Sequence, residues 1–233
     1  MTDDAQVAIP KHVGYIVDGN RRWAKSHGLP TYEGHLAGYN ALKEVALATM
    51  HAGVTYMSAY VFSTENWNRS ADEVKKLMGL TLKVLAADVP EFNKHGVRLK
   101  IVGSREGVDP KIVKAIEAAE MATSQNSKGE LAVCFNYGGQ REIVDAVKKI
   151  VQSGVDIDDI DEALIAKNLY APEVPPLDVV VRTSGEQRLS NFMLWRSAYS
   201  EFIFLKKNWP DMTKEDVTAI MEEYSSRQRR FGG

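Results

Sequence analysis

The chain has 233 residues, a formal net charge of −2, 44% hydrophobic residues and a single cysteine. That length suits one large α/β domain or two small ones, with enough apolar content for a sizeable core. The near-neutral balance argues against general nucleic-acid binding, and Cys134 alone excludes a disulfide framework or a cysteine-based zinc site. The acidic start Met1-Thr2-Asp3-Asp4 lacks a signal-peptide pattern, and no apolar run approaches the about 20 residues of a membrane span. The expectation is a soluble cytoplasmic protein, with peripheral membrane contact left open.

In chain order, six short apolar runs read as strands: Val13–Asp18, Tyr56–Phe62, Val97–Val102, Leu131–Asn136, Val179–Arg182 and Phe202–Leu205. Most are apolar throughout, as in a parallel sheet covered on both faces. Helical spacing separates them. Leu42, Val45, Ala46 and Met50 share one face, as do Ile112, Ala115, Ile116 and Ala119. Ile143, Ala146, Val147, Ile150 and Val151 repeat the pattern, and Val217, Ile220, Met221 and Tyr224 close it. The alternation predicts a single α/β domain over residues 1–233: a central, mostly parallel six-stranded sheet flanked by helices on both faces. Residues 1–11 are expected to be flexible. The segment Ser70–His95 is apolar on more than one side, so it predicts either deep burial, a dimer contact or one wall of a tunnel for a lipid chain.

Ligands of open α/β sheets bind outside the carboxyl ends of the strands. The first end reads Asp18-Gly19-Asn20-Arg21-Arg22-Trp23, a carboxylate, a tight turn, helix-opening amides and two guanidiniums. A bare carboxylate would repel a phosphate, and a Mg²⁺ ion between them removes the conflict. The second end reads Ser63-Thr64-Glu65-Asn66-Trp67-Asn68-Arg69, and the fourth Asn136-Tyr137-Gly138-Gly139-Gln140-Arg141. The fifth, Arg182 to Ser190, brings two arginines, Thr183 and Ser190, which suit a second phosphate or diphosphate. Glu201 opens the last strand and is a candidate second oxygen ligand for the metal of Asp18. The acidic run Asp156–Glu162 reads as helix capping. No histidine shows zinc spacing, and His35 is singled out because Gly34-His35 begins the helix facing the first site. There is no dinucleotide or Walker A motif.

Together these motifs, with His12–Asn20 at the start and Arg229-Arg230-Phe231-Gly232-Gly233 at the end, resemble the cis-prenyltransferases. The resemblance runs from His12 to Gly233. It implies a homodimer that condenses isopentenyl diphosphate onto an allylic diphosphate, farnesyl diphosphate being the expected primer, to give a medium-to-long polyprenyl diphosphate delivered to the membrane. A short-chain Z-prenyl synthase and a non-catalytic partner subunit are the alternatives. A metal-dependent phosphatase is disfavoured because position 20 is Asn rather than a second acid. The resemblance assigns Asp18 to Mg²⁺ and diphosphate, and Gly19, Asn20, Arg21, Arg22, Trp23 and His35 to the allylic diphosphate. Arg182, Arg188 and Ser190 would hold isopentenyl diphosphate, with Leu189 between them. Ser63, Asn66, Trp67, Arg69 and Glu73 would surround the reacting carbons, and Thr64 and Glu65 would also bind substrate. Asn66, a neutral amide, is a poor base, so a positioning role is expected while departing diphosphate takes the proton. Glu201 would ligate Mg²⁺ from the partner chain, and the tail 227–233 would reach the partner's site. Three positions depart from the family pattern: Arg21 for a common glycine, Thr31 for a common arginine, and Val61 for a common alanine, which would narrow the tunnel.

Overall fold

The computed structural model describes residues 8–227. The six strands are β1 (His12–Ile16), β2 (Tyr56–Ser63), β3 (Val97–Val102), β4 (Gly129–Tyr137), β5 (Val179–Arg182) and β6 (Glu201–Phe204). They form one sheet in the order β3-β4-β2-β1-β5-β6, with every pairing parallel. The chain leaves β1 toward β2 on one side and is joined by β5 on the other, so the crevice beyond β1 is the sheet's switch point.

The helices are α1 (Asn20–Ser26), α2 (Thr31–His51), α3 (Ala71–Ala87), α4 (Val89–His95), α5 (Pro110–Thr123), α6 (Gly139–Gln152), α7 (Glu162–Asn168) and α8 (Lys214–Ser226). Strand alternation divides the core. Val13, Tyr15, Met57, Ala59, Leu131 and Phe135 meet α2, α3, α4, α5 and α8 on one face. Ile16, Tyr60, Ala132, Cys134 and Val180 meet Val174, Leu177, Phe192 and Met193 on the other. There α6 is joined through Glu142, which accepts from Tyr137 Oη at 2.5 Å and pairs with buried Arg196 at 2.8 Å. Cys134 is an inert core residue.

Local chemistry explains the boundaries. Ser70 caps α3 by accepting from the Glu73 amide, and the turn at Gly96 (φ 69°) ends α4. Asp156 and Asp161 accept from the amides of Asp158 and Leu164, so the acidic run caps helices as its sequence implies. Gly34 and Gly38 let α2 close on α1: a Cβ at either would lie 2.1 or 2.2 Å from oxygen atoms of Asn20. Within the expected flexible leader, Ala8 donates to Ser225 and Lys11 to Asp178, and residues 1–7 lie outside the described residues. No helix among the described residues is long and apolar enough to cross a membrane.

Candidate active site

The turn after β1 is pinned from two sides. The Asp18 amide donates to Thr183 Oγ1 (3.0 Å), whose hydroxyl donates back to the Asp18 carbonyl (2.6 Å). The Trp209 amide also donates to that carbonyl at 2.9 Å. Gly19 has φ 108°, and a Cβ there would strike Asn208 at 2.5 Å, so α1 can begin here only with glycine before it. The turn leaves the Asp18 carboxylate facing β5, with Oδ2 2.9 Å from Arg182 and 3.5 Å from Arg22. Burial opposes ionisation of Asp18, but Arg182, Arg22 and Ser184 outweigh it and hold the carboxyl below its ordinary range.

Arg182 is the buried centre of the site. It also donates to Ser190 Oγ at 2.8 Å and to the Arg188 carbonyl, while its buried Nε has no partner among the described residues. Arg22 donates to the Ser184 carbonyl and hydroxyl, and its guanidinium lies 3.4 Å from Glu186. The exposed Arg188 pairs with that same Glu186 at 2.5 Å. One loop carboxylate therefore holds two arginines where an anion would draw them. Across the cleft, Glu73 gathers Arg69 (3.0 Å), His35 (3.4 Å) and Arg21 (4.0 Å). Burial, with the Arg69 charge, outweighs Glu73 and lowers the His35 pKa.

Asp18, Asn20, His35, Ser63, Glu65, Asn66, Arg69, Arg182, Arg188 and Ser190 thus line one polar cleft of about 600 Å³. Asn66 Oδ1 accepts from the Ser63 amide at 3.2 Å, capping the turn that follows β2. An apolar cavity of about 120 Å³ adjoins the cleft beneath α3, walled by Leu77, Leu80, Val84, Leu85, Phe92 and Phe135 among others. Val17, Asn20, His35, Val61 and Leu77 border both spaces. Val61 therefore stands at the junction of the two spaces.

Several expected site residues lie elsewhere. Trp23 turns away, donating to Asp211 at 2.7 Å and stacking on His27. Thr64 and Trp67 face a separate pocket, where Trp67 donates to Asn136 at 2.7 Å. Leu189 packs on the core under its loop. The largest correction is Glu201. It is level with Val179 and hence with Val13, at the amino edge of the sheet, whereas Asp18 lies beyond the carboxyl edge. Two strands and five residues separate them, about 19 Å at about 4.8 Å per strand and about 3.3 Å per residue. Within one chain they cannot share an ion, and Glu201 instead pairs with Arg227 at 2.9 Å. Among the described residues no group of three or more His, Cys, Asp or Glu side chains could hold a metal. The remainder of the expected tail, residues 228–233, lies outside the described residues. Sequence reasoning left Glu186 and Asn191 without roles. Asn191 could have been found as a left-handed-tolerant residue directly after Ser190.

Known proteins carry the same layout. The profile of the undecaprenyl diphosphate synthase family of prenyltransferases matches residues 16–232. The chain belongs to this family. It is 45% identical to an isoprenyl transferase of Thermotoga maritima, covering 97% of both chains. It is 42% identical to a decaprenyl diphosphate synthase of Mycolicibacterium smegmatis, covering 96% of this chain and 78% of that one. Lavandulyl diphosphate synthase from Lavandula x intermedia, solved with dimethylallyl diphosphate, superposes with a TM-score of 0.93 at 34% identity, covering 97% of this chain and 99% of that one. The parallel sheet and single-domain layout are those of these prenyltransferases.

Proposed function

We propose that this prenyltransferase joins isopentenyl diphosphate to an allylic diphosphate with a new cis double bond, using farnesyl diphosphate as primer and building a medium-to-long polyprenyl diphosphate. The observation that carries this reading is the adjacency of polar cleft and apolar cavity, which share five lining residues. An allylic diphosphate has that same division, a charged head on a hydrocarbon tail.

The head would lie at the Gly19–Arg22 turn, with the tail passing Val61 and Leu77 under α3. Isopentenyl diphosphate would take Arg182, Arg188 and Ser190, its anion displacing Glu186 from Arg188. Breaking the allylic C–O bond sends the electron pair to diphosphate, and Arg22 is placed to neutralise that growing charge. The alkene of isopentenyl diphosphate then attacks the allylic carbon. A proton leaves to the departed diphosphate, Asn66 only orienting the pair. The apolar cavity excludes water from the cationic centre. Asp18, a single ionised carboxylate, fits Mg²⁺, which is commonly held by one or two carboxylates plus substrate phosphate oxygens. Asp18 would hold that ion, and when bound it would supply neutralisation of the charge that grows on the leaving diphosphate. In a homodimer Glu201 and the tail would serve the partner's site, and the lipid product would pass to a membrane.

A short-chain product is the second reading. A cavity of 120 Å³ is close to the roughly 150 Å³ that admits benzene, room for about one five-carbon unit unless α3 shifts outward. The test is incubation with labelled isopentenyl diphosphate, Mg²⁺ and each of geranyl, farnesyl and geranylgeranyl diphosphate. Elongation is expected, and product length separates the two readings. No elongation with any primer overturns both.

A further inference from the structure

We propose that Asn191 is a positioning residue: its side chain ties the loops after β2, β4 and β5 together and so fixes the Ser190 hydroxyl for the diphosphate of isopentenyl diphosphate. The substrate named here rests on the function proposed above, whereas the tie itself is a matter of geometry.

Ser190 and Asn191 are consecutive left-handed residues, with φ 50° and 68°. That conformation is costly for most side chains and is best tolerated, after glycine, by Asn and Asp. Three hydrogen bonds hold Asn191 in it. Its carbonyl accepts from the Gly139 amide at 2.8 Å, its Oδ1 accepts from the Gln140 amide at 2.8 Å, and its Nδ2 donates to Glu65 Oε1 at 2.9 Å. The partners fix the amide's orientation, because a backbone N–H requires the oxygen and a carboxylate requires the nitrogen. Gly139 and Gln140 open α6, whose N-cap Gly138 has no side chain to satisfy them. Asn191 therefore caps α6 from another loop. The junction is tight as well: a Cβ at Gly138 would lie 2.6 Å from Thr64 Oγ1 and 2.8 Å from Asn191 Nδ2.

The neighbours on either side of Asn191 have different duties. Ser190 accepts from Arg182 inside the cleft. Phe192 is fully buried and stacks on Tyr60 at 5.1 Å, and Arg196 is locked to Glu142 of α6. Asn191 is thus the step between a rigid anchor and the hydroxyl that faces the ligand. Glu65, on the loop after β2, stays ionised below its usual range because the Asn191 bond, with Ser63 and Thr64, outweighs its burial.

Asn191→Asp tests the tie. It keeps size, left-handed tolerance and the acceptor for Gln140, but sets a carboxylate oxygen against Glu65. The KM for isopentenyl diphosphate should rise about tenfold, a typical coupling for residues in contact, with the allylic primer's KM almost unchanged. Amide exchange should quicken over 138–141 and 184–193. Adding Glu65→Gln restores a donor, so the double variant should return to the level of Glu65→Gln alone in both readouts. An Asn191→Asp protein with wild-type KM and exchange overturns the proposal, as does a double variant as impaired as Asn191→Asp. Exchange requires no substrate, so it decides the tie even if Ser190→Ala leaves the KM for isopentenyl diphosphate unaltered and the substrate assignment falls.

Discussion

In the cleft, most lining side chains are polar and the charged ones are already engaged: Asp18 with Arg182, Arg22 and Arg188 with Glu186, His35 and Arg69 with Glu73. In the cavity one step away, the walls are mostly Leu, Val, Ile and Phe side chains whose only preference is to avoid water. Lys43 borders it with its ammonium 3.5 Å from Asp88, a charge kept neutralised beside the apolar space. The difference is one of directionality. Charged groups hold a ligand at particular atoms, so a single loss removes a step. Apolar contact is proportional to area and tolerates a sliding chain, so a single change alters volume and stability rather than chemistry. The proposed reaction, in which a head group is anchored while its tail grows, uses both.

Three changes test that contrast. Asp18→Ala should have the largest effect, a loss of turnover of about 10³-fold, on the scale of removing a key electrostatic contact. Steady-state kinetics with saturating substrates checks it, and a variant retaining full turnover would break the assigned mechanism. Leu85→Ala, in the cavity wall, should instead cost about 2–4 kcal/mol of stability. The KM values of both diphosphates should hardly move, and longer products should appear on chromatography; a collapse in diphosphate affinity would erase the distinction between the two spaces.

The smallest effect is expected at His35, which borders both. Its folded pKa is below the ordinary value of 6.5, so the unfolded chain takes up the proton first as pH falls. The stability gained from a neutral His35 is full above pH 6.5 and is lost as pH falls from there toward the depressed folded value. Urea unfolding of wild type and His35→Gln at several pH values should show the wild type losing more stability on acidification. Parallel curves would place the titration elsewhere.

The cavity was the more legible of the two regions. Apolar runs and helical spacing are local signals, and each of the six strands lies where its run predicts, with ends displaced by at most two residues. β1 stops at Ile16 rather than Asp18 because the Asp18 amide is already turned toward Thr183. The cleft was legible as a set of strand-end loops, since loops that follow parallel strands gather at one edge. That same rule, applied to Glu201, would have excluded it from the Asp18 site, because a residue that opens a parallel strand lies at the opposite edge.

What the amino-acid order determined by itself was therefore the class of fold, the carboxylate and arginines of the cleft, and the apolar stripe of α3. The tertiary structure alone decided which side chains face inward. Trp23 could point toward the cleft or toward Asp211, and only the packing of the Trp209–Asp211 turn against α1 settles it. Asn191 looks like an ordinary loop residue until three strand ends converge on it. Sequence patterns report the preferences of single segments, whereas partners distant along the chain exist only once the strands have taken their order in the sheet.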